Sequence, residues 1–349
     1  MVKYTLFGES HGEAIGVVLE NLPPGIKIDM DFINKEMGRR KANDGGLTTS
    51  RIEPDKVEII SGVFREHTTG APLCGIIRNQ NVISRDYKKI KDIARPSHAD
   101  YTGYVKYQGY NDYRGGGHFS GRVTAALVFA GALARLILKE KGIYIGSHIL
   151  QILDIRDTKF DKTNIDQSLI DDLANKQFAV INKAVSKKMQ DAILSAKDNQ
   201  TSIGGIIECA VINMDCGIGS PGLDSIESII SKHIFGIGAV KGIEFGAGFD
   251  FCNMYGHEAN DEMYIKDGKV MTYSNNNGGI LGGISNGMPI TFNVAIKPTP
   301  SISRKQRTVD FNKMDNCEIE ISGRHDPCIL SRAVVVIECA TALALCEIL

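Results

Sequence analysis

The hydrophobic pattern of the chain predicts a mixture of strands and helices. Short apolar or alternating runs, most of them bounded by glycine, proline or asparagine, predict strands over 4–7, 14–19, 57–63, 73–77, 203–214, 242–249 and 290–296. Apolar positions at helical spacing predict helices over 31–40, 122–141, 165–196 (as one helix or two) and 330–349. Ser120 is a suitable N-cap for the second of these helices, and Gly142 follows its end.

The order of these elements favours a single α+β domain over residues 1–349. No low-complexity linker divides the chain, which argues against two hinged domains. Gly-Ala-Pro at 70–72 and Gly-Met-Pro at 287–289 each precede a strand, while the histidine-containing segments 95–100 and 324–326 each precede a long helix. This short internal repeat indicates two similar α+β halves that face each other.

The charge balance restricts the classes of partner. The chain has 40 basic and 41 acidic residues, a net charge of -1, which disfavours binding to nucleic acids or to anionic membranes. The longest apolar stretch, 123–134, is followed by Arg135 and is short for a bilayer span. Any affinity for anions must therefore come from local clusters of basic residues.

Cysteine usage indicates a reducing compartment. None of the 8 cysteines stands in a Cys-x-x-Cys pair, which argues against a zinc or iron–sulfur site, so we expect no metal. The first residues do not show the charged start and apolar segment of a secretory signal. We expect a cytoplasmic protein.

Two histidines stand in polar loops near predicted strands and helices. His11 lies between glycines in the segment 8–12, and His98 stands two residues before Asp100 in the segment 95–101. Either histidine could transfer protons or pair with an anion, and Asp100 could orient His98 and favour its protonated form. The alternative is that both segments are structural turns.

Two further segments are rich in arginine. Arg39-Arg40-Lys41 ends a predicted helix, with Arg51 in the following loop; these residues either stabilise the helix dipole or clamp a phosphate or carboxylate. The three glycines 115–117 lie between Arg114 and Arg122 ahead of a helix, an arrangement suited to phosphate binding. This loop matches neither a Walker loop nor the Rossmann fingerprint.

Three C-terminal loops complete the set of candidates: 275–283, with four glycines, 297–301, with Lys297 and hydroxyls, and 323–327, with Arg324, His325 and Asp326. Each could be only a turn, but their number in one chain favours a common site. The residue types indicate a pocket for a small, multiply charged anion and a phosphate-bearing cofactor.

The segments 8–12, 95–102, 113–122 and 323–327, in this order and spacing, resemble the chorismate synthase family from about residue 4 to the C-terminus. The resemblance implies a sandwich with central helices between antiparallel sheets and pseudo-duplicated halves. It also implies a lyase of the shikimate pathway, in aromatic amino acid biosynthesis. That enzyme makes chorismate by 1,4-elimination of phosphate from 5-enolpyruvylshikimate-3-phosphate and requires reduced FMN without net redox change.

The resemblance also implies roles for individual residues. His11 would protonate the reduced flavin, His98 would sit at the departing phosphate or a carboxylate, and Asp326 would help to remove the ring proton through the flavin. The predicted substrate contacts are Ser10, Arg40, Arg51, Arg122 and Arg324. The predicted cofactor contacts are His118, Phe119, Ser120, Gly238, Ala239, Gly282, Lys297, Pro298, Thr299, Pro300, Ser301 and Arg324.

Two positions depart from the family pattern. Gly46 stands where the family has a second basic residue, which bears on any contact with NADP and on part of the substrate clamp. Pro300 stands in a loop that is often rich in serine. The chain has no visible flavin-reductase segment, so we expect FMN to be reduced by a separate flavin reductase. Members of the family are usually cytoplasmic homotetramers.

Three other functions remain open at this point. A flavin oxidoreductase would use the same loops but would consume one reductant per product. A nucleic-acid-binding protein would need a basic surface with interleaved aromatic residues, against which the net charge of -1 speaks. A phosphate-binding protein without catalysis would need only the basic loops.

Overall fold

The computed structural model describes residues 2–42, 45–82, 87, 91–321, 323 and 325–349. Its strands are β1 (Lys3–Gly8), β2 (Ala14–Glu20), β3 (Val57–Ser61), β4 (Val63–Phe64), β5 (His67–Thr68), β6 (Leu73–Arg78), β7 (Tyr144–Ile152), β8 (Ile155–Arg156), β9 (Gly205–Ile212), β10 (Val240–Phe245), β11 (Met263–Lys266), β12 (Lys269–Thr272), β13 (Ile280–Leu281), β14 (Ile284–Ser285), β15 (Ile290–Ile296), β16 (Gln306–Asp310) and β17 (Asp315–Ile319). Its α-helices are α1 (Met30–Arg40), α2 (Asp100–Lys106), α3 (Thr124–Glu140), α4 (Gln167–Ala174), α5 (Lys183–Asp198), α6 (Ile226–Phe235), α7 (Gly256–Ala259) and α8 (Leu330–Ile348).

Two antiparallel sheets form the outer layers. The first has the strand order β1-β2-β6-β3, and the second has the order β10-β15-β9-β7-β8. Along β9, seven consecutive residues pair with β15 on one side and eight pair with β7 on the other, which makes it the central strand of the second sheet. Strands β4–β5, β11–β12, β13–β14 and β16–β17 form separate two-stranded hairpins.

The long helices α3 and α8 lie between the two sheets. Helix α3 packs on β2 and β6, α8 packs on β7 and β9, and the two helices pack on each other. Both are apolar around most of their circumference, as expected for helices that are covered on all sides. The close approach requires Gly131, because a Cβ there would lie 2.2 Å from Cβ of Cys339. This arrangement confirms the predicted α+β fold with central helices between antiparallel sheets.

Most of the predicted elements are confirmed, within a few residues at each end. The segment 165–196 forms two helices, α4 and α5. Strand β7 was not predicted because Ser147 and His148 interrupt its apolar pattern, although both are fully buried. Helices α2 and α6 and the hairpins β11–β12 and β16–β17 were also not predicted. Both halves share the plan of a sheet followed by a long apolar helix, with different strand orders.

One helix is longer than the apolar stretch at 123–134 suggested. The helical segment Gly121–Glu140 is long and apolar enough to cross a bilayer, with a mean hydropathy of 1.6 over its most apolar window. The length argument from the sequence is therefore wrong. In this protein, 78% of that window is buried inside the fold, because the segment is the central helix that packs on α8 and on the first sheet.

Candidate active site

The segment between β1 and β2 lies against the three-glycine turn at 115–117. The backbone N–H of Ser10 donates to the carbonyl oxygen of Gly117 at 3.0 Å, and Nδ1 of His118 lies 2.9 Å from the carbonyl oxygen of Gly8. Ser10 is fully buried and His11 is 8% exposed. Two segments more than 100 residues apart in the sequence are thereby joined at one place.

The glycine turn also brings the two candidate histidines together. Gly115 and Gly116 have φ values of +61° and +85°. A Cβ on Gly115 would lie 2.6 Å from Nε2 of His11, and a Cβ on Gly116 would lie 3.1 Å from Nε2 of His98. Adjacent backbone residues therefore contact the two imidazole rings, and neither position has space for a side chain.

His98 is held by a charged network in its own loop. Its Nδ1 lies 2.8 Å from Oδ1 of Asp100, and Nη2 and Nε of Arg95 donate to the two oxygens of that carboxylate at 2.7 and 2.8 Å. Burial alone would raise the pKa of Asp100, but the hydrogen bonds from Arg95 and His98 outweigh burial and hold that pKa well below its usual range. Asp100 is thus a carboxylate that orients the ring, as the spacing of the two residues predicted.

Three side chains form a buried group at the start of α3. Asp55 pairs with Nη1 of Arg122 and lies 3.4 Å from Nη1 of Arg40. Arg40 also donates to the Thr124 hydroxyl at 2.9 Å. Nη2 of Arg122 is buried and has no hydrogen-bond partner among the described residues. We call Arg40, Arg122 and Asp55 the site cluster; it holds two cations and one carboxylate.

Arg40 stays charged at neutral pH. Burial, followed by the neighbouring charge of Arg332, lowers the pKa of Arg40 to about 9, and Arg122 acts in the same direction while Asp55 opposes it. A guanidinium with that pKa keeps its proton at pH 7. Burial is the larger cause of the lowered pKa, and the positive charges of Arg332 and Arg122 add to it.

Arg51 adds a third arginine to the same region. Its Nη1 donates to the Ser10 hydroxyl at 2.8 Å, and its Nη2 donates to Glu53 at 2.8 Å. Glu53 in turn accepts from the backbone N–H of Gln80 at 3.0 Å. Ser10, Arg40, Arg51 and Arg122 are therefore grouped around the start of α3 and the segment between β1 and β2.

Asp326 lies at the beginning of α8, in contact with the loop that follows Arg40. Its Oδ1 accepts from the backbone N–H of Thr49 at 2.9 Å, and Nη1 of Arg332 lies 3.0 and 3.1 Å from its two oxygens. Nε of Arg332 also donates to the carbonyl oxygen of Arg40 at 3.0 Å. Arg324, predicted for both substrate and cofactor, lies outside the described residues.

The predicted cofactor residues fall into three groups. His118, Phe119 and Ser120 follow the glycine turn, and the Phe119 ring is 41% exposed. Gly238, Ala239 and the segment 297–301 meet where the Lys297 N–H donates to the Ala239 carbonyl oxygen at 2.9 Å. Nζ of Lys297 reaches the Ser97 carbonyl oxygen at 2.6 Å, and Oγ of Ser301 lies 3.3 Å from Arg95. Pro298 and Pro300 lie in the same segment.

Gly282 forms a third group by itself. Its neighbour Gly283 accepts from the N–H of Ile226 at the start of α6, whereas Gly238 and Ala239 follow the end of that helix. Helix α6 has ten residues, so its two ends lie about 15 Å apart. Gly282 is therefore at the opposite end of this helix from Gly238 and Ala239. The other glycines of this loop pack on the protein's own backbone: a Cβ on Gly278 would lie 2.5 Å from the Gly246 nitrogen.

The arginine pair at the end of α1 divides between two places. Arg40 belongs to the site cluster, but Arg39 points into the protein and pairs with Glu338 at 2.5 Å and with Glu36 at 2.9 Å. The helix dipole therefore does not account for these residues. The clamp interpretation fits the surroundings of Arg40 and does not fit those of Arg39.

A cation stands beside Gly46 although the residue itself has none. Nζ of Lys197, at the end of α5, lies 3.2 Å from the position of a Cβ on Gly46 and donates to the Gly46 carbonyl oxygen at 3.1 Å. The following residues contact other site loops: Ser202 donates to the Thr299 carbonyl oxygen at 2.7 Å, and Asn199 accepts from Arg304 at 2.8 Å.

Sequence reasoning missed four charged residues of the site: Glu53, Asp55, Arg95 and Arg332. Each contacts a predicted site residue: Glu53 pairs with Arg51, Asp55 with Arg122, Arg95 with the His98 loop and Arg332 with Asp326. Only Arg95, inside the His98 segment, carried a signal in the sequence. In the described part of the chain, no group of three or more His, Cys, Asp or Glu residues could hold a metal ion.

Comparisons with known proteins agree in pointing to one family. The family model for chorismate synthase matches residues 2–349. Chorismate synthase from Dehalococcoides mccartyi (strain BAV1) is 44% identical over 100% of this chain and 94% of its own length. Its counterpart from Pyrococcus abyssi is 44% identical over 99% and 95%. A chorismate synthase crystal structure matches 99% of this chain and 91% of its own, with 28% identity and a TM-score of 0.77.

Proposed function

The chain belongs to the chorismate synthase family, and on this premise we propose that it removes phosphate from 5-enolpyruvylshikimate-3-phosphate in a 1,4-elimination that yields chorismate. Membership of the family places it in the shikimate pathway and in the biosynthesis of aromatic compounds. The reaction would require reduced FMN without consuming it. Classified by its chemistry, the enzyme would be a carbon–oxygen lyase acting on phosphate.

The observation that carries this proposal is that Nη2 of Arg122 has no hydrogen-bond partner in the described part of the chain. A buried guanidinium nitrogen without a partner costs free energy unless a ligand supplies an acceptor. Arg122 shares the single carboxylate of Asp55 with Arg40, so the site cluster has an excess of positive charge. A substrate with two carboxylates and a phosphate would compensate that excess, and cations near the departing phosphate would stabilise its developing charge.

The histidines and Asp326 are suited to proton transfer. His98 carries the Asp100 carboxylate on Nδ1, which leaves Nε2, directed towards Gly116, as the nitrogen that could take a second proton and give it to the leaving phosphate. Asp326 is held by Thr49 and Arg332 next to the Arg40 loop, a position suited to a carboxylate that accepts the ring proton. His11 lies against the neighbouring glycine and would supply a proton to the reduced flavin.

The residues near Lys297 fit a flavin mononucleotide. Nζ of Lys297 uses one of its three donors on the Ser97 carbonyl oxygen, which leaves two for the phosphate of the cofactor. The exposed Phe119 ring offers a surface for a planar isoalloxazine, and Thr299 and Ser301 offer hydroxyls nearby. When bound, reduced FMN supplies an electron-rich ring that facilitates loss of the allylic phosphate.

We also propose that the chain forms a homotetramer in the cytoplasm and uses FMN reduced by a separate flavin reductase. The chain exposes 17125 Å², whereas a compact monomer of this mass exposes roughly 14,000 Å². The hairpin β11–β12 exposes Met263, Ile265 and Val270, and an isolated two-stranded hairpin is only marginally stable. The large exposed area and the apolar side chains of this hairpin both favour burial of surface between copies of the chain. All eight cysteines are free thiols, consistent with a reducing compartment.

The decisive experiment is an anaerobic assay of the purified chain with 5-enolpyruvylshikimate-3-phosphate and chemically reduced FMN. We expect chorismate and phosphate in equal amounts, with many turnovers per reduced flavin. Absence of chorismate would contradict the proposal. One reductant consumed per product would identify a flavin oxidoreductase instead, and product formed with NADPH and oxidised FMN alone would contradict the need for a separate reductase.

A further inference from the structure

Arg332 connects two parts of the candidate active site that are distant in sequence. It lies in the first turn of α8, where Nη1 contacts both oxygens of Asp326 at 3.0 and 3.1 Å. Its Nε donates to the backbone carbonyl oxygen of Arg40 at 3.0 Å. A single planar guanidinium therefore links the carboxylate of Asp326 to the end of α1.

The Asp326 carboxylate is held from two directions. Thr49, in the loop that follows α1, donates its backbone N–H to Oδ1 at 2.9 Å, on the same carboxylate that Arg332 contacts. The backbone carbonyl of Asp326 accepts from the Thr299 hydroxyl at 2.7 Å. These contacts fix the orientation of the side chain, and Arg332 joins it to the backbone of Arg40.

The arrangement brings like charges together, which is unfavourable for folding. The charge of Arg332 is the largest cause, after burial, of the lowered pKa of Arg40. A core built for stability alone would pair its cations with equal numbers of carboxylates. Among the described residues, the three arginines Arg40, Arg122 and Arg332 are paired with two carboxylates, those of Asp55 and Asp326. A costly arrangement at a site with perturbed pKa values indicates a role in the chemistry.

We propose that Arg332 is a positioning residue: it orients the Asp326 carboxylate and ties it to Arg40, so that one side chain sets the distance between the substrate clamp and the proton acceptor. The inference rests on the proposed function. Arginine is required because a lysine cannot contact two groups in two directions with one rigid plane. Helix α8 provides a rigid base, since it is buried between the two sheets.

The test compares Arg332→Gln and Arg332→Lys with Arg307→Gln, a matched control that removes an exposed arginine on β16. We expect Arg332→Gln to lower kcat about 100-fold, Arg332→Lys about 10-fold and the control by less than 2-fold, with KM changed less than about 3-fold in all three. An unchanged kcat, or a loss that follows the fraction of unfolded protein, would overturn the inference.

A double-mutant cycle shows whether Arg332 acts through Asp326. In an Asp326→Asn background, the further effect of Arg332→Gln on kcat should fall to less than about 3-fold. Two effects that multiply would show that Arg332 acts independently of Asp326 and would refute its positioning role.

A third measurement does not depend on turnover. In the ligand-free protein, Arg332→Gln should increase hydrogen exchange at residues 325–329 and at the end of α1, and Arg307→Gln should not. If the wild-type chain makes no chorismate, the proposed function fails while this exchange result still decides whether Arg332 ties the two segments together. Unchanged exchange in both segments would overturn the inference.

Discussion

Two groups of buried arginines lie side by side in this protein and differ in their charge balance. The core cluster consists of Arg39, Arg135, Glu36 and Glu338, and each of its carboxylates contacts both arginines. Glu338 also accepts hydrogen bonds from the N–H and hydroxyl of Ser147 at 3.1 Å. In the site cluster, the one carboxylate that Arg40 and Arg122 contact among the described residues is Asp55.

The difference shows how neighbouring residues of one helix serve two purposes. A balanced and hydrogen-bonded cluster joins α1, α3, α8 and β7 and needs nothing from outside. In the unbalanced cluster, Nη2 of Arg122 has no partner among the described residues, and under the proposed function a bound anion would supply one. Arg39 and Arg40 are adjacent in sequence, so the contacts and not the residue type distinguish structure from function.

The largest expected effect comes from removing the central carboxylate of the core cluster. Burial alone would raise the pKa of Glu338, but Arg39 and Arg135 outweigh burial and hold it below its usual value. Its contribution to stability is therefore present above the unfolded pKa of about 4.3 and is lost as the pH falls through the lower folded pKa. We expect Glu338→Gln to cost about 3–5 kcal/mol of unfolding free energy at pH 7.

Urea unfolding of wild type and Glu338→Gln at pH 7 and at pH 3, below the unfolded pKa of about 4.3, measures both effects. The variant should lose less stability than wild type between the two pH values, because it lacks the titrating group. Equal losses would show that Glu338 does not contribute to the acid sensitivity. A destabilisation below about 1 kcal/mol at pH 7 would remove the distinction between the two clusters.

The next effect separates the two adjacent arginines. Arg40→Met should lower kcat/KM about 100-fold with little loss of stability, because Asp55 keeps Arg122 as its partner. Arg39→Met leaves Glu338 and Glu36 with only Arg135, so it should mainly lower the unfolding free energy, with near-normal kcat/KM for the folded fraction. Steady-state kinetics and urea unfolding of both variants test this pair; the reverse pattern would contradict the assignment.

The smallest expected effect concerns Lys197, the cation beside Gly46. Lys197→Gln should raise the KM for the phosphorylated substrate about 2- to 5-fold at low salt, and less at high salt, because the charge is exposed. Lys197→Arg should restore it. Lys188→Gln, which removes an exposed lysine on the same helix, is the matched control. Equal KM values for Lys197→Gln and Lys188→Gln would show that the cation beside Gly46 has no part in binding.

The sequence predicts much of this architecture from local patterns. Apolar spacing predicts helices where α1, α3 and α8 form. Flanking glycines indicate His11, and the spacing to Asp100 indicates His98. Strand β7 was missed because Ser147 and His148 are polar: Ser147 binds Glu338, and His148 lies between Asp157 and Glu208 at 3.1 and 2.8 Å. Folding brings the carboxylates of Glu338, Asp157 and Glu208 to β7 from other parts of the sequence, so the sequence pattern of the strand does not reveal them.

The candidate active site shows the same limit of prediction from the sequence: contacts between distant residues are not visible in it. A histidine and an aspartate two residues apart can be paired from the sequence, as His98 and Asp100 were. The partners of the arginines cannot, since Asp55 lies 67 residues from Arg122 in the chain. Neither composition nor spacing indicated that Arg39 would turn inward while Arg40 turned to the site.

The pairing of α3 with α8 has a consequence for how the protein folds. The two helices are the centre of the core, yet the chain from residue 141 to residue 329 separates them. Contacts between such distant segments form late, because a long loop must close first. We therefore expect slow folding through an intermediate in which the first sheet has formed but the apolar side of α3 is still open to solvent, a species prone to aggregate.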